Sequence, residues 1–187
     1  MKAKFLTLFL GGLLLFSCEK QTPKIQEFEG VAGTVEYREK YISTDTTSLK
    51  SSVDSIVRVI DNSLSVYNEE SILSKINKGY VPTKADEHFK KVYTAASEVW
   101  KESGGMYDPT VGIFVKVWGF GRESVQPISN LPTDKLLDSL KRYVGFDKVK
   151  IDADGYVKKE SQPIQIDLTS VVRGYTVDVI GDFLKKK

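Results

Sequence analysis

Apolar residues between positions 49 and 64 recur at the spacing of an amphipathic helix, and this pattern most constrains the fold. They lie at intervals of four, three, four and four: Leu49, Val53, Ile56, Ile60 and Leu64. Such a stripe is typical of a helix that turns one face toward a core. We therefore predict a long helix here, with Thr47 or Ser48 as its N-cap.

Other helices and short strands are predicted on both sides of this helix, without the regular alternation of parallel α/β folds. The predicted helices cover residues 86–103, 132–143 and 171–184, and the predicted strands cover residues 33–41, 148–152, 156–159 and 164–168. An Asp154-Gly155 turn joins the second and third of these strands. The pattern predicts an α+β domain over residues 30–187.

Composition places the chain among ordinary globular proteins. Hydrophobic residues make up 41% of the 187 residues and charged residues 28%, a balance that argues against disorder. The formal net charge is +2 with both signs interspersed. Because nucleic-acid binding requires a clustered basic face, we expect no nucleic-acid partner.

The N-terminal residues form a separate unit. Lys2 and Lys4 precede an apolar run over residues 5–16, which is too short to span a bilayer but suits a signal peptide. The end of this run, Leu15-Phe16-Ser17-Cys18, resembles a bacterial lipobox. We predict a signal peptide at residues 1–17 and a lipidated Cys18 with a tether over residues 18–29. The alternative is a plain secretory signal with an incidental cysteine. Lipidation would anchor the protein to a cell membrane, on the periplasmic side.

Tyr67 is the first candidate ligand-binding residue. It follows the long helix pattern, and an aromatic ring at a helix end can stack on a flat ligand. The alternative is an aromatic residue of the core or its rim.

A glycine-rich loop is the second candidate. It runs Gly104-Gly105-Met106-Tyr107-Asp108-Pro109-Thr110-Val111-Gly112 and is followed by Trp118-Gly119-Phe120-Gly121. Paired glycines allow the backbone to approach a ligand closely. The Asp108 carboxylate could accept hydrogen bonds from that ligand. The alternative is a helix stop followed by an Asx turn.

The third candidate is the transition from a predicted strand to a helix between Asp167 and Arg173. Backbone N–H groups at a helix N-terminus favour an anion, and the planar guanidinium of Arg173 suits phosphate. Asp167 and Ser170 offer the oxygen ligands that Mg²⁺ prefers. The alternative is an ordinary helix start with Thr169 or Ser170 as its N-cap.

Together these segments resemble the ApbE family of FAD:protein FMN transferases. The loop is similar to that family's Gly-Gly-Ala-Phe-Asp-Pro-Thr-Val-Gly stretch and its following Trp-Gly-Phe-Gly. The segment from Asp167 to Asp178 is similar to the family's Asp-Leu-Gly-Gly-Ile-Ala-Lys-Gly-Tyr-Ala-Val-Asp. The resemblance implies an ApbE-like mixed sheet with packed helices.

The resemblance also implies the reaction and its site. FMN would move from FAD to a Thr or Ser hydroxyl of an acceptor protein, with release of AMP and dependence on Mg²⁺. Ser170 would be a metal ligand, and six residues would contact FAD: Tyr67, Met106, Tyr107, Asp108, Asp167 and Arg173. The acceptor would be a flavoprotein subunit of a membrane redox complex. The alternative is a membrane-tethered FAD-binding lipoprotein without transferase activity.

Several positions depart from the family pattern. The stretch Gly30-Val31-Ala32-Gly33-Thr34 lacks the family's methionine, and Val172 and Arg173 replace the usual alanine and lysine. The chain also ends at Lys187, where the family continues. We therefore expect the fold to be incomplete at its C-terminus.

Overall fold

The computed structural model describes residues 22–32, 35–120 and 131–187. These residues form helices packed against short antiparallel strand pairs, which confirms the predicted α+β class. The segments predicted as signal peptide and Cys18 anchor lie outside the described residues, as do Gly33, Thr34 and Gly121.

A β-hairpin opens the described chain. Strand β1 (Lys24–Ala32) pairs with strand β2 (Val35–Ser43) in antiparallel register, Phe28 opposite Glu39. Strand β2 confirms the predicted strand, with its bounds shifted by two residues. Strand β1 contradicts the predicted tether over residues 24–29. Two of the polar residues that suggested a tether, Glu27 and Glu29, instead lie on the exposed face of the hairpin.

The exposed face of the hairpin carries cross-strand ion pairs. Arg38 pairs with Glu29, and Lys40 pairs with Glu27 at 3.3 Å. The opposite face packs on the first helix, where the Tyr37 hydroxyl donates to Asp54 Oδ1 at 2.5 Å. Charge pairs on one face and aromatic residues on the other therefore stabilise β1, although its polar composition did not predict a strand.

Six α-helices follow the hairpin in the described residues. They are α1 (Lys50–Leu64), α2 (Ile72–Lys78), α3 (Glu87–Glu102), α4 (Gly112–Val117), α5 (Asp134–Leu140) and α6 (Thr169–Leu184). Helices α1, α3, α5 and α6 confirm the predicted helices. Helices α2 and α4 are short and were not predicted.

The helix N-termini show which capping signals are used. Asp86 caps α3, since its Oδ1 accepts the Phe89 N–H at 2.7 Å, and Thr133 caps α5. Neither Thr47 nor Ser48 holds the N-cap position of α1, but the Ser48 hydroxyl oxygen accepts the Lys50 N–H at 3.4 Å. Leu49 holds the N-cap position and makes no side-chain capping bond.

Two short strands pair next to the core. Strand β3 (Val149–Ile151) lies antiparallel to β4 (Val157–Lys159), as predicted. In the turn between them Gly155 has a φ of 85°, which favours glycine.

Residues 164–168 contradict the predicted strand. Their side chains alternate as a strand's do, since Ile164, Ile166 and Leu168 are buried. The backbone makes only one isolated bridge, Val111 with Gln165 in parallel. The Asn77 side chain, which extends from α2, binds the Ile166 backbone in place of a neighbouring strand.

Two apolar clusters hold these elements together. The larger joins α1, α2 and α3 to β3 and to residues 164–168, with Phe89, Leu73 and Ile164 fully buried. The smaller joins the hairpin to α1 and α6 through Val53 and Ile180. Within the described ranges no helix combines the length and apolarity that crossing a membrane requires.

Candidate functional site

The glycine-rich loop begins with a left-handed turn. Gly104 and Gly105 have φ values of 62° and 82°, and the Gly105 N–H donates to the Trp100 carbonyl at 2.9 Å. This turn ends α3 sharply. Met106 follows with 93% of its surface exposed, so it is accessible to a ligand.

Asp108 anchors the loop to the protein. Its Oδ1 accepts the Thr110 N–H at 2.8 Å and the Thr110 hydroxyl at 2.5 Å, and its Oδ2 accepts the Phe146 N–H at 3.0 Å. The buried Thr110 hydroxyl also accepts the Gly145 N–H at 2.7 Å. The carboxylate thus binds protein donors with both oxygens. Its contact with FAD stays a prediction.

The loop and the 167–173 segment lie in contact. The Asp167 N–H donates to the Pro109 carbonyl at 2.7 Å. A Cβ added to Gly112 would lie 2.8 Å from the Gln165 carbonyl oxygen, so only glycine allows this approach. Two segments that sequence motifs marked separately therefore form one surface.

Asp167 also sets the start of α6. Its Oδ1 accepts the Thr169 N–H at 2.9 Å, and Leu168 is the N-cap residue. The alternative with Thr169 or Ser170 as the cap is therefore wrong. A carboxylate takes that role, so the Ser170 side chain is not used for capping and is exposed.

Tyr107 and Ser170 meet above this helix start. The Ser170 hydroxyl donates to the Tyr107 hydroxyl oxygen at 3.4 Å. Burial raises the pKa of Tyr107, and the nearby carboxylates of Asp167 and Asp108 act in the same direction. Tyr107 therefore presents a neutral hydroxyl at ordinary pH.

Two open clefts meet at Tyr67. One cleft, about 430 Å³, lies between α2 and α4 and includes Asn77, Lys116 and Asp167 in its lining. The apolar cleft, about 290 Å³, lies between β2, α1 and α6 and includes Arg173. The Tyr67 ring lines both clefts and is 43% exposed, so it can contact a ligand in either one.

The structure thus groups the predicted site residues in three places. Tyr107, Asp108, Asp167 and Ser170 come together where the two segments meet. Tyr67 and Arg173 share the apolar cleft, which adjoins the N-terminus of α6. Met106 lines neither cleft.

Two polar residues that were assigned no role from the sequence bind backbone groups near the site. Asn77 binds both backbone polar groups of Ile166. The Lys159 ammonium donates to the carbonyls of Asn77, Gln162 and Ile164 at 3.0, 3.1 and 2.9 Å. Burial, with a smaller contribution from the charge of Lys116, lowers the pKa of Lys159 to about 8. Polar side chains that bind distant backbone leave no periodic signal in a sequence.

The described residues contain no cluster of three or more His, Cys, Asp or Glu side chains that could hold a metal by themselves. The oxygen donors at the helix start are the Ser170 hydroxyl and the Asp167 carboxylate. This set fits Mg²⁺ bound mainly through substrate phosphates and water, which is the usual way proteins hold that ion.

Comparison with known proteins identifies the family. The ApbE family model matches residues 30–187. FAD:protein FMN transferase of Vibrio cholerae is 28% identical over 182 residues, covering 94% of this chain and 53% of the relative. The Haemophilus influenzae protein of the same name is 30% identical over 185 residues, covering 93% and 53%.

Solved structures agree with the sequence comparison. Flavin transferase ApbE from Vibrio cholerae superposes with a TM-score of 0.79 at 26% identity, covering 88% of this chain and 54% of that one. Apo flavinyl transferase ApbE of Pseudomonas stutzeri gives 0.76 at 25% identity, covering 88% and 53%. The chain spans about half the length of the relatives it matches. From its motifs, fold and matches alike, this chain belongs to the ApbE family.

Proposed function

We propose that this chain acts in FAD:protein FMN transfer. FMN would move from FAD to a Thr or Ser hydroxyl of an acceptor protein. The acceptor oxygen bonds to the FMN phosphorus as the pyrophosphate bond breaks, AMP leaves with the bridging oxygen, and the hydroxyl proton passes to water. The observation that carries the proposal is the Asp167–Pro109 backbone hydrogen bond, because it joins the two family motifs into one surface.

The start of α6 supplies the phosphate-binding part of the proposed site. Its N-terminal end carries a positive partial charge, which favours the pyrophosphate. The exposed guanidinium of Arg173 lies one turn further along the helix and can bind phosphate oxygens in bidentate fashion. Tyr107 adds a neutral hydroxyl donor.

Mg²⁺ would neutralise the pyrophosphate during transfer. Ser170 is the proposed ligand from this chain, with Asp167 beside it at the helix start. The FAD contacts of Tyr67, Met106, Tyr107, Asp108, Asp167 and Arg173 are part of the same proposal.

A second candidate is FAD binding without transfer. It is favoured by the sparse metal ligation at the start of α6, since the described residues contain no cluster of three or more His, Cys, Asp or Glu side chains to hold the Mg²⁺ that transfer would require.

We further propose that Cys18 carries a lipid anchor on the periplasmic side of a cell membrane. The sequence of residues 1–18 supports this proposal. A membrane anchor would place the chain near its proposed acceptor, a flavoprotein subunit of a membrane redox complex.

A transfer assay tests the proposed function. The chain is incubated with FAD, Mg²⁺ and an acceptor protein, and covalent flavin fluorescence and AMP release are measured together. We expect both signals to require Mg²⁺ and to fall in Ser170→Ala. The matched control is Lys150→Ala, which changes an exposed residue of β3. Bound FAD with neither signal would select the second candidate, and no FAD binding would refute both.

A further inference from the structure

Asn77 forms two hydrogen bonds with one backbone residue of the site. Its Nδ2 donates to the Ile166 carbonyl at 2.8 Å, and its Oδ1 accepts the Ile166 N–H at 2.7 Å. A side-chain amide carries both a donor and an acceptor, so it can replace the pairing that a neighbouring strand would supply. Ile166 is 1% exposed, so these backbone groups would otherwise be buried without partners.

The Asn77 bonds act directly on Asp167. The carbonyl of Ile166 and the N–H of Asp167 belong to the same peptide unit and point in opposite directions. Asn77 binds the carbonyl from α2, and Pro109 binds the N–H from the glycine-rich loop at 2.7 Å. We call this pair of contacts the peptide clamp. It determines the orientation of the backbone that carries the Asp167 side chain.

The base of the peptide clamp is itself held in place. The Asn77 carbonyl accepts the Lys159 ammonium at 3.0 Å and the Gln165 side-chain amide at 3.2 Å. At the other end of α2, the Ser71 hydroxyl caps the helix by accepting the Ser74 N–H at 2.9 Å. Asn77 therefore extends from an anchored helix rather than from a free loop.

The effect of the peptide clamp continues into α6. The Asp167 carboxylate accepts the Thr169 N–H at 2.9 Å, so the position of Asp167 determines where the helix begins. Ser170 and Arg173 lie in the first turns of that helix. A shift of the Ile166–Asp167 peptide would move all three groups together.

We propose that Asn77 is a positioning residue for flavin dinucleotide binding, acting through the Ile166–Asp167 peptide to orient the Asp167 carboxylate and the start of α6. The inference rests on the proposed function. It differs from a purely structural role because it requires Asn77 and Asp167 to act as one unit. A positioning role and a purely structural role therefore predict different FAD affinities when Asn77 and Asp167 are substituted together.

The main test is a double-mutant cycle on FAD binding. Asn77→Asp is nearly isosteric and keeps an acceptor for the Ile166 N–H, but it places a carboxylate oxygen against the Ile166 carbonyl. We expect this variant to bind FAD about tenfold more weakly, the equivalent of one lost hydrogen bond. In an Asp167→Asn background the same change should have little further effect. Equal effects in both backgrounds would overturn the proposal.

The control separates binding from stability. Val149→Ala removes buried volume in β3, a strand that lines neither cleft. We expect it to lower the melting temperature, measured by circular dichroism, without changing the FAD affinity of the folded protein. If it weakens FAD binding as much as Asn77→Asp does, the proposal is overturned. Asn77→Ser is the milder substitute if Asn77→Asp does not fold.

Amide hydrogen exchange tests the peptide clamp without a ligand. In Asn77→Asp we expect faster exchange of the Asp167 N–H, because its peptide has lost the Asn77 donor, with Phe89 in α3 unchanged. Unchanged protection of Asp167 would overturn the inference. If the wild-type chain binds no FAD, the proposed function fails and the ligand part of the inference fails with it, whereas the exchange result still decides the peptide clamp.

Discussion

The Asp167 N–H and the Pro109 carbonyl form a 2.7 Å hydrogen bond across 58 residues of sequence. This bond joins the glycine-rich loop to the start of α6. Both segments carry ApbE family motifs.

Replacing Gly112 with alanine should open the junction. The added Cβ would lie 2.8 Å from the Gln165 carbonyl oxygen, which is backbone and cannot rotate away. We expect a loss of about 1–3 kcal/mol in the free energy of unfolding, measured with urea. Gly174→Ala is the matched control, because a Cβ there meets nothing within 4 Å and the position is helical. It should be neutral or stabilise by up to about 1 kcal/mol. Equal behaviour of the two variants would contradict the close approach.

Removing the Asp108 carboxylate should destabilise the fold. Asp108→Ala would leave the N–H groups of Thr110 and Phe146 without their acceptor. Because N–H donors left without an acceptor are costly, we expect a loss of about 2–4 kcal/mol in the free energy of unfolding. The control is Asp154→Ala, at an exposed turn position, which should stay within about 0.5 kcal/mol of wild type. A small loss at Asp108 would mean that its hydrogen bonds contribute little.

Lys159 should make the free energy of unfolding increase with pH in mildly alkaline solution. Burial lowers its pKa to about 8 in the folded chain, against 10.5 for a free lysine. The unfolded state therefore binds more protons between these values, so the free energy of unfolding should increase from about pH 8 to 10.5. The measurement is the difference between wild type and Lys159→Met across that range. A flat difference curve would show that the pKa is not lowered.

Arg173 should contribute to FAD affinity without stabilising the fold. The side chain is exposed and lines the apolar cleft. We expect Arg173→Gln to weaken FAD binding by about tenfold through the loss of one charge-assisted phosphate contact, with an unchanged melting temperature. Arg173→Lys should restore part of the affinity. Arg142→Gln, an exposed arginine beside Tyr143, is the control. Full affinity in Arg173→Gln would remove this residue from the proposed site.

Local patterns in the sequence predicted α1, α3 and α5 because each of these helices carries its own periodicity or cap. Asp86 and Thr133 are examples, since a cap acts within three residues of its own position. The family motifs likewise marked Asp108 and Asp167 from short stretches of sequence. Strand β1 was missed, because the pairing that stabilises it comes from β2 and from the packing on α1.

Tertiary structure alone decided how the marked residues are used. Residues 164–168 alternate like a strand, yet Asn77 rather than a neighbouring strand pairs with Ile166. The Asp108 carboxylate binds the 145–146 turn through Phe146, a contact between positions 38 residues apart. Sequence determined which local elements form, because their energies arise between near neighbours. The folded chain determined the site, because hydrogen bonds between distant segments depend on how those elements pack.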